Sequence, residues 1–140
     1  MSHQTKLKLK KVTNQSQVQI KDDPVRDVSN AFRTSQGRHI YTIPNKAVVC
    51  IANTFKCPID MQQLEIYSLP EAEEFTIFYT VWSYEKGYGR LILNELLQLL
   101  QTTRYVTLSP KTEMAKNFHI RNGAKLIANN DNSYNFEYFK

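Results

Sequence analysis

Residues 81–93 of the chain read Val-Trp-Ser-Tyr-Glu-Lys-Gly-Tyr-Gly-Arg-Leu-Ile-Leu. The residues at 75–82 are mostly β-branched or aromatic, and leucine and isoleucine at helical spacing follow the quoted stretch. The first pattern favours a strand, and the second favours an amphipathic helix. We therefore predict a strand over 75–82, a turn containing Gly87 and Gly89, and a helix from Gly87 to Thr102.

The turn has the charge and the backbone freedom of an anion-binding site. The N-terminus of a helix carries unpaired N–H groups and a partial positive charge. Glycine lets the backbone approach a phosphate without a clashing Cβ, and Lys86 and Arg90 add full positive charges beside it. The residues alone leave two interpretations open, a phosphate site and an ordinary strand-to-helix connection.

Strands and helices are predicted to alternate on both sides of this stretch, which favours an α/β domain with a mixed sheet. Before it, the predicted elements are a strand or hairpin over 6–20, a helix over 24–35, strands over 39–43 and 47–54, and a short helix over 58–68. After it, they are a strand over 105–108, a helix over 112–122 capped by Ser109 or Thr112 and stopped by Gly123, and strands over 125–127 and 135–139. The apolar face of the central helix is predicted to carry Ile92, Leu93, Leu96, Leu97, Leu99 and Leu100.

Composition predicts one globular domain over residues 1–140, because 41% of the residues are hydrophobic and 11% are aromatic. Residues 1–11 are interpreted either as a flexible basic arm or as a solvated strand edge. No apolar run reaches the roughly 20 residues of a membrane span, and the polar start does not resemble a secretory signal. The chain is therefore expected to be cytoplasmic.

The net charge of +5 permits phosphorylated cofactors, acidic surfaces or nucleic acid as partners. Nucleic acid is the less favoured partner, since no recognition-helix, zinc-finger or RNP pattern is present. Cys50 and Cys57 have no further ligands at metal-binding spacing, so no metal site is predicted.

Residues 81–93 resemble motif A of the GNAT superfamily of N-acetyltransferases, in which a strand leads into Q/R-x-x-G-x-G/A and backbone amides hold the coenzyme A pyrophosphate. Tyr84 stands where the family usually has Gln or Arg. Residues 112–124 are similar to motif B, N-x-x-A-x-x-F-Y-x-x-x-G-F: Ala115, Phe118 and Gly123 match, and His119 occupies the position of the usual tyrosine.

This resemblance implies a mixed, mostly antiparallel sheet flanked by helices and splayed at an acyl-CoA cleft. It also implies acetyl-CoA or another acyl-CoA as cofactor, and an amine acceptor that is either a small molecule or a protein. The cofactor-binding residues that it implies are Val81, Trp82, Ser83, Lys86, Gly87, Tyr88, Gly89 and Arg90.

The last third of the chain is also similar to the C-terminal end of malonyl-CoA decarboxylases, which carry A-x-x-F-H-x-x-N-G-A and later N-Y-x-Y. The matching residues here are 115–124 and 135–138. The histidine of those enzymes is catalytic, so the likeness assigns a role to His119, with Asn122 and Gly123 as its neighbours. Their separate catalytic-serine motif is absent from this sequence.

Amine acylation needs a held carbonyl and two proton transfers. By the resemblance, a backbone N–H around Trp82 or Ser83 holds the carbonyl. His119 is expected to protonate the thiolate, because imidazole titrates near neutral pH; the alternative is a histidine that only packs and hydrogen-bonds. Glu74 is the candidate base, with Glu65, Tyr79 or a water relay as alternatives. Ser109 is the third candidate, at the cleft by family analogy or as a helix cap.

Three functions follow as hypotheses. The leading one is an acyl-CoA-dependent N-acyltransferase that transfers acetyl to an amine. The second is a malonyl-CoA decarboxylase-like enzyme, and the third is a non-catalytic domain that binds coenzyme A or nucleic acid. The sequence leaves the acceptor and the oligomeric state open, a dimer included.

Overall fold

The computed structural model describes residues 9–12 and 30–140. The predicted strand or hairpin over 6–20 is represented there by β1 (Lys10–Val12), and the predicted helix over 24–35 by α1 (Asn30–Arg33). The remainder of both predictions lies outside the described residues. Residues 34–37 then form turns that lead into the sheet.

One sheet organises the described part of the chain. After β1, its strands are β2 (Arg38–Ile43), β3 (Ala47–Thr54), β4 (Phe75–Ser83), β5 (Arg104–Thr107), β6 (Ser109–Pro110), β7 (Lys125–Asn129) and β8 (Ser133–Tyr138). Their order is β1-β2-β3-β4-β5-β8-β6, with β7 paired to β8. All of these pairs are antiparallel except β4 with β5. The predicted fold class, a mixed, mostly antiparallel sheet flanked by helices, is confirmed.

Three further helices connect the strands: α2 (Met61–Tyr67), α3 (Tyr88–Leu99) and α4 (Glu113–Arg121). Helix α2 is shorter than predicted because Asp60 caps it, accepting a 2.8 Å hydrogen bond from the N–H of Gln63. Thr112 caps α4 through a 3.1 Å bond from the N–H of Ala115. Of the two predicted caps, Thr112 is therefore correct, and Ser109 belongs to β6.

The sheet is covered on both faces. On one face, Ile92, Leu93 and Leu96 of α3 are fully buried against β3 and β4; burying each such side chain is worth about 1.5–3 kcal/mol. On the other face, Leu64 of α2 joins a second apolar cluster. Leu99, predicted for the apolar face of α3, is 53% exposed. That prediction is wrong for Leu99: it is the last residue of α3 and its side chain faces solvent, whereas Leu100 after it packs against the apolar core.

Candidate functional site

Strands β4 and β5 separate halfway along β4. Their parallel pairing runs from Phe75 to Phe78 on β4, and the last hydrogen bond joins the N–H of Leu108 to the carbonyl of Phe78 at 2.9 Å. Beyond it, Ser109 pairs with Tyr134 of β8 instead. In the described structure, residues 79–83 of β4 are therefore left without a strand partner on this side.

A cavity of about 700 Å³ fills this opening. Its walls come from β4, from residues 59–61, from residues 108–112, from α4 and from residues 132–133. Of the predicted site residues, Val81, Trp82, Ser83, Gly89, Ser109 and His119 line it. Lys86, Gly87, Tyr88 and Arg90 lie in or next to the adjoining turn, outside the lining.

The register of β4 against β3 decides which backbone groups face the cavity. The N–H of Tyr84 bonds the carbonyl of Lys46 at 2.7 Å. Paired residues in an antiparallel ladder alternate between hydrogen-bonded and non-bonded pairs. Trp82 and Thr80 therefore direct their backbone groups at β3, as Tyr84 does. The N–H and carbonyl groups of Val81 and Ser83 point to the open side, whereas those of Trp82 do not.

A β-bulge at Tyr79 sets this direction. Phe78 pairs with Ile51 and Thr80 with the adjacent Cys50, so Tyr79 is an extra residue on β4. The carbonyl of Phe78 faces β5, and regular alternation from Phe78 would turn Thr80 and Trp82 towards the opening. Because of the extra residue, the backbone groups that point to the open side are those of Val81 and Ser83.

The glycine turn joins the far end of the cavity. Gly87 is the N-cap of α3 with φ of +91°, a left-handed conformation that favours glycine. Among the described residues, the N–H groups of Gly89 and Arg90 have no backbone partner. Lys86 and Arg90 are exposed beside them, and Lys46 forms an ion pair with Glu85. The turn therefore offers free donors and net positive charge at one end of the cleft.

Gly89 has a packing role as well. A Cβ added to Gly89 would lie 3.1 Å from Cζ and 3.2 Å from Cε1 of Phe118, closer than side chains ordinarily approach. The absence of a side chain at Gly89 thus lets the Phe118 ring of α4 pack against the first turn of α3. Both residues line the cavity, so this contact helps to set its shape.

His119 is the buried polar residue of α4, with 5% of its surface exposed. Its Nδ1 lies 2.6 Å from the hydroxyl of Tyr138, and its ring packs against Phe136 with centroids 5.3 Å apart. Burial lowers the pKa of His119 to about 4. The ring is therefore neutral at pH 7, and the expected titration near neutral pH does not hold in this environment.

The fold places some of the remaining predicted residues at the cavity and keeps others away from it. Ser109 is buried at the cavity wall, where its hydroxyl donates to Oγ1 of Thr107 at 2.7 Å. Glu74 is exposed just before β4 begins, and Glu65 is exposed on α2; neither lines the cavity. Tyr79, the other candidate base, does line it.

Sequence reasoning missed the wall formed by residues 59–61. A polar network holds it: Nδ2 of Asn135 bonds the carbonyls of Pro58 at 3.1 Å and Thr107 at 2.8 Å. The hydroxyl of Ser133 donates to the carbonyl of Ile59 at 2.6 Å. Asn135, which matches the asparagine of the N-Y-x-Y pattern, was the available signal, but its partner Pro58 lies 77 residues away.

The architecture, a mostly antiparallel sheet flanked by helices with a cleft beside the free edge of β4, is consistent with a GNAT-type fold. No protein-family model and no curated protein matches the sequence. Among solved structures, malonyl-CoA decarboxylase from Cupriavidus metallidurans is similar, with a TM-score of 0.48 and 19% sequence identity. The similarity covers 74% of this chain and 31% of the decarboxylase chain. This chain therefore matches less than a third of that enzyme's length.

Two further findings concern the described residues alone. No helix among them is long and apolar enough to span a membrane. No cluster of three or more histidine, cysteine, aspartate or glutamate side chains among them has the arrangement of a metal site.

Proposed function

We propose that the cleft binds an acyl-coenzyme A and that the protein is an N-acyltransferase that uses acetyl-CoA. One observation carries the proposal: the free edge of β4 runs directly into a glycine turn with unpaired N–H groups. The pantetheine arm of coenzyme A contains amide groups, which can pair with Val81 and Ser83 as an added strand would. The pyrophosphate then reaches the N-terminus of α3, where Lys86 and Arg90 lie.

The cavity also suits the reaction. The amine nitrogen attacks the thioester carbon, the C–N bond forms, and the C–S bond breaks to leave a thiolate. An N–H on the open side of Val81 or Ser83 can stabilise the oxyanion that develops on the way. The neutral His119 ring can donate a hydrogen bond to the departing sulfur, and the amine proton passes to water, either directly or by a relay in which the Tyr79 hydroxyl gives up its own proton.

Hydrogen exchange of the full chain with and without coenzyme A tests the binding mode. Coenzyme A should slow exchange at the amides of Val81 and Ser83. The amides of Thr80 and Trp82, which bond to β3, are internal controls and should be protected in both states. Binding that leaves Val81 and Ser83 unprotected would contradict the proposed pairing.

The reaction itself is tested by product analysis. Thiol release from acetyl-CoA that depends on an added amine supports the acyltransferase. Carbon dioxide release from malonyl-CoA without an amine would instead support the decarboxylase-like activity. Coenzyme A binding without either product would leave a non-catalytic binding domain.

A further inference from the structure

We infer that Tyr138 is a positioning residue that donates its hydroxyl proton to Nδ1 of His119, so that His119 presents an Nε2–H group to the cavity. The hydrogen-bond part of this inference stands on the ligand-free structure. Its kinetic consequence rests on the proposed function, because it assumes that acyl transfer takes place in this cleft.

The contact is short and enclosed. The Tyr138 hydroxyl and Nδ1 of His119 lie 2.6 Å apart, and the two residues are only 4% and 5% exposed. The Tyr138 ring is held edge-on against Phe78, with centroids 6.2 Å apart. Two packed rings joined by one hydrogen bond have little freedom to exchange partners, so the pair fixes the orientation of the imidazole.

The direction of the hydrogen bond follows from the surroundings of the hydroxyl. Burial raises the pKa of Tyr138, so the phenol keeps its proton. Among the described residues, Nδ1 of His119 is the hydrogen-bond partner of the Tyr138 hydroxyl, and Nδ2 of the neighbouring Asn122 makes no hydrogen bond. Donation to Nδ1 of His119 gives the buried hydroxyl proton an acceptor, whereas a bond donated by Nδ1 would leave that proton unpaired, which is costly in a buried position.

The second nitrogen of the imidazole is then left for the ligand. Nε2 of His119 makes no hydrogen bond to the described residues, and it is not among their buried unpaired atoms. His119 lines the cavity, so this nitrogen reaches it. A neutral imidazole carries one proton, and acceptance at Nδ1 places that proton on Nε2. His119 thus meets a substrate sulfur or oxygen as a donor, without needing to become an imidazolium.

Nitrogen-15 NMR of the ligand-free full chain reports the imidazole tautomer directly. The His119 signals are assigned by their loss in His119→Gln. Wild type should show a single Nε2–H tautomer at pH 7, and Tyr138→Phe should show a mixture. The matched control is Tyr105→Phe, which removes another buried hydroxyl, bonded to the Leu100 carbonyl at 2.7 Å; it should leave the His119 signals unchanged.

Steady-state kinetics adds the functional readout. Tyr138→Phe should lower kcat by about tenfold with KM for acyl-CoA unchanged, since one hydrogen bond is lost away from the phosphates. A wild-type Nδ1–H tautomer, or the same tautomer in wild type and Tyr138→Phe, would overturn the inference. The expected tautomer change without any acyl-CoA turnover would uphold the positioning role and refute the proposed function instead.

Discussion

Gly89 of α3 faces the ring edge of Phe118 on α4, and the space between them is too small for a β-carbon without movement. Gly89→Val should therefore destabilise the protein by about 1–3 kcal/mol, the usual cost of overpacking. Phe118→Leu shortens the opposing side chain, so the double variant should lose less stability than the sum of the single variants. Urea unfolding of all four proteins measures this coupling, and strictly additive losses would show that the contact is unimportant.

A comparison of Gly87 with Gly123 distinguishes an effect on coenzyme A binding from the effect of backbone strain. Gly87 and Gly123 have φ of +91° and +94°, and a Cβ at either one would meet open space. Alanine at each should cost about 1–2 kcal/mol of stability, because both positions require a left-handed conformation. Only Gly87→Ala should weaken coenzyme A binding in isothermal titration, since only its Cβ stands at the turn before α3. Equal coenzyme A affinities of the two variants would show that the turn is not part of the coenzyme A site.

Lys86 and Arg90 should contribute to the affinity for coenzyme A through their positive charges. Alanine at either position is expected to lower coenzyme A affinity by about threefold to tenfold, and the loss should shrink as salt is added, because exposed charges are screened. Lys125→Ala removes an equally exposed charge from β7 and serves as the control. A loss that is the same at low and high salt would mean that the two residues act through packing.

Acid should destabilise the protein through His119. The pKa of its imidazole is about 4 in the folded chain and 6.5 in the reference state. Between these values the unfolded chain binds the extra proton, so stability is full above pH 6.5 and falls as the pH drops towards 4. The loss should reach about 3 kcal/mol. The free energy of unfolding, measured at pH 7.5 and at pH 4.5, tests this prediction. The difference between the two values should be reduced more by His119→Gln than by His39→Gln.

Turnover should depend on His119 while coenzyme binding does not. If the imidazole assists the departing thiolate, His119→Ala should lower kcat by roughly 10²–10⁴-fold, with the affinity for coenzyme A unchanged. His119→Tyr should recover part of the thiol release, because a phenol can also donate a proton. Full-rate thiol release in His119→Ala would leave His119 as a packing residue only.

The local patterns around α3 could be predicted from the sequence because each of them spans a few residues. The turn at Gly87 and Gly89 and most of the buried face of α3 follow from glycine placement and helical spacing. Leu99 shows the limit of this approach: helical spacing places it beside buried residues of α3, but tertiary packing at the end of the helix leaves it exposed.

The cavity depends on contacts between residues that are far apart in the chain, and local sequence patterns do not predict such contacts. The strand pairing of Ser109 with Tyr134, and the bonds from Asn135 to Pro58 and Thr107, join residues that are far apart in the chain. Their formation is decided by tertiary packing and not by local propensity. For the same reason, the backbone groups that face the cleft depend on the single extra residue at Tyr79, and no composition rule predicts it.

The separation of β4 from β5 also has a consequence for solubility. A strand edge with unpaired backbone groups is a template on which other chains can add. In the described structure, the unpaired edge of β4 is confined to residues 79–83 and lines a cavity whose walls include α4. Because other elements wall this edge, a slender extended molecule fits beside it better than the edge strand of a second sheet would. The walls of the cleft therefore favour the addition of a slender ligand over strand pairing with a second sheet at this part of β4.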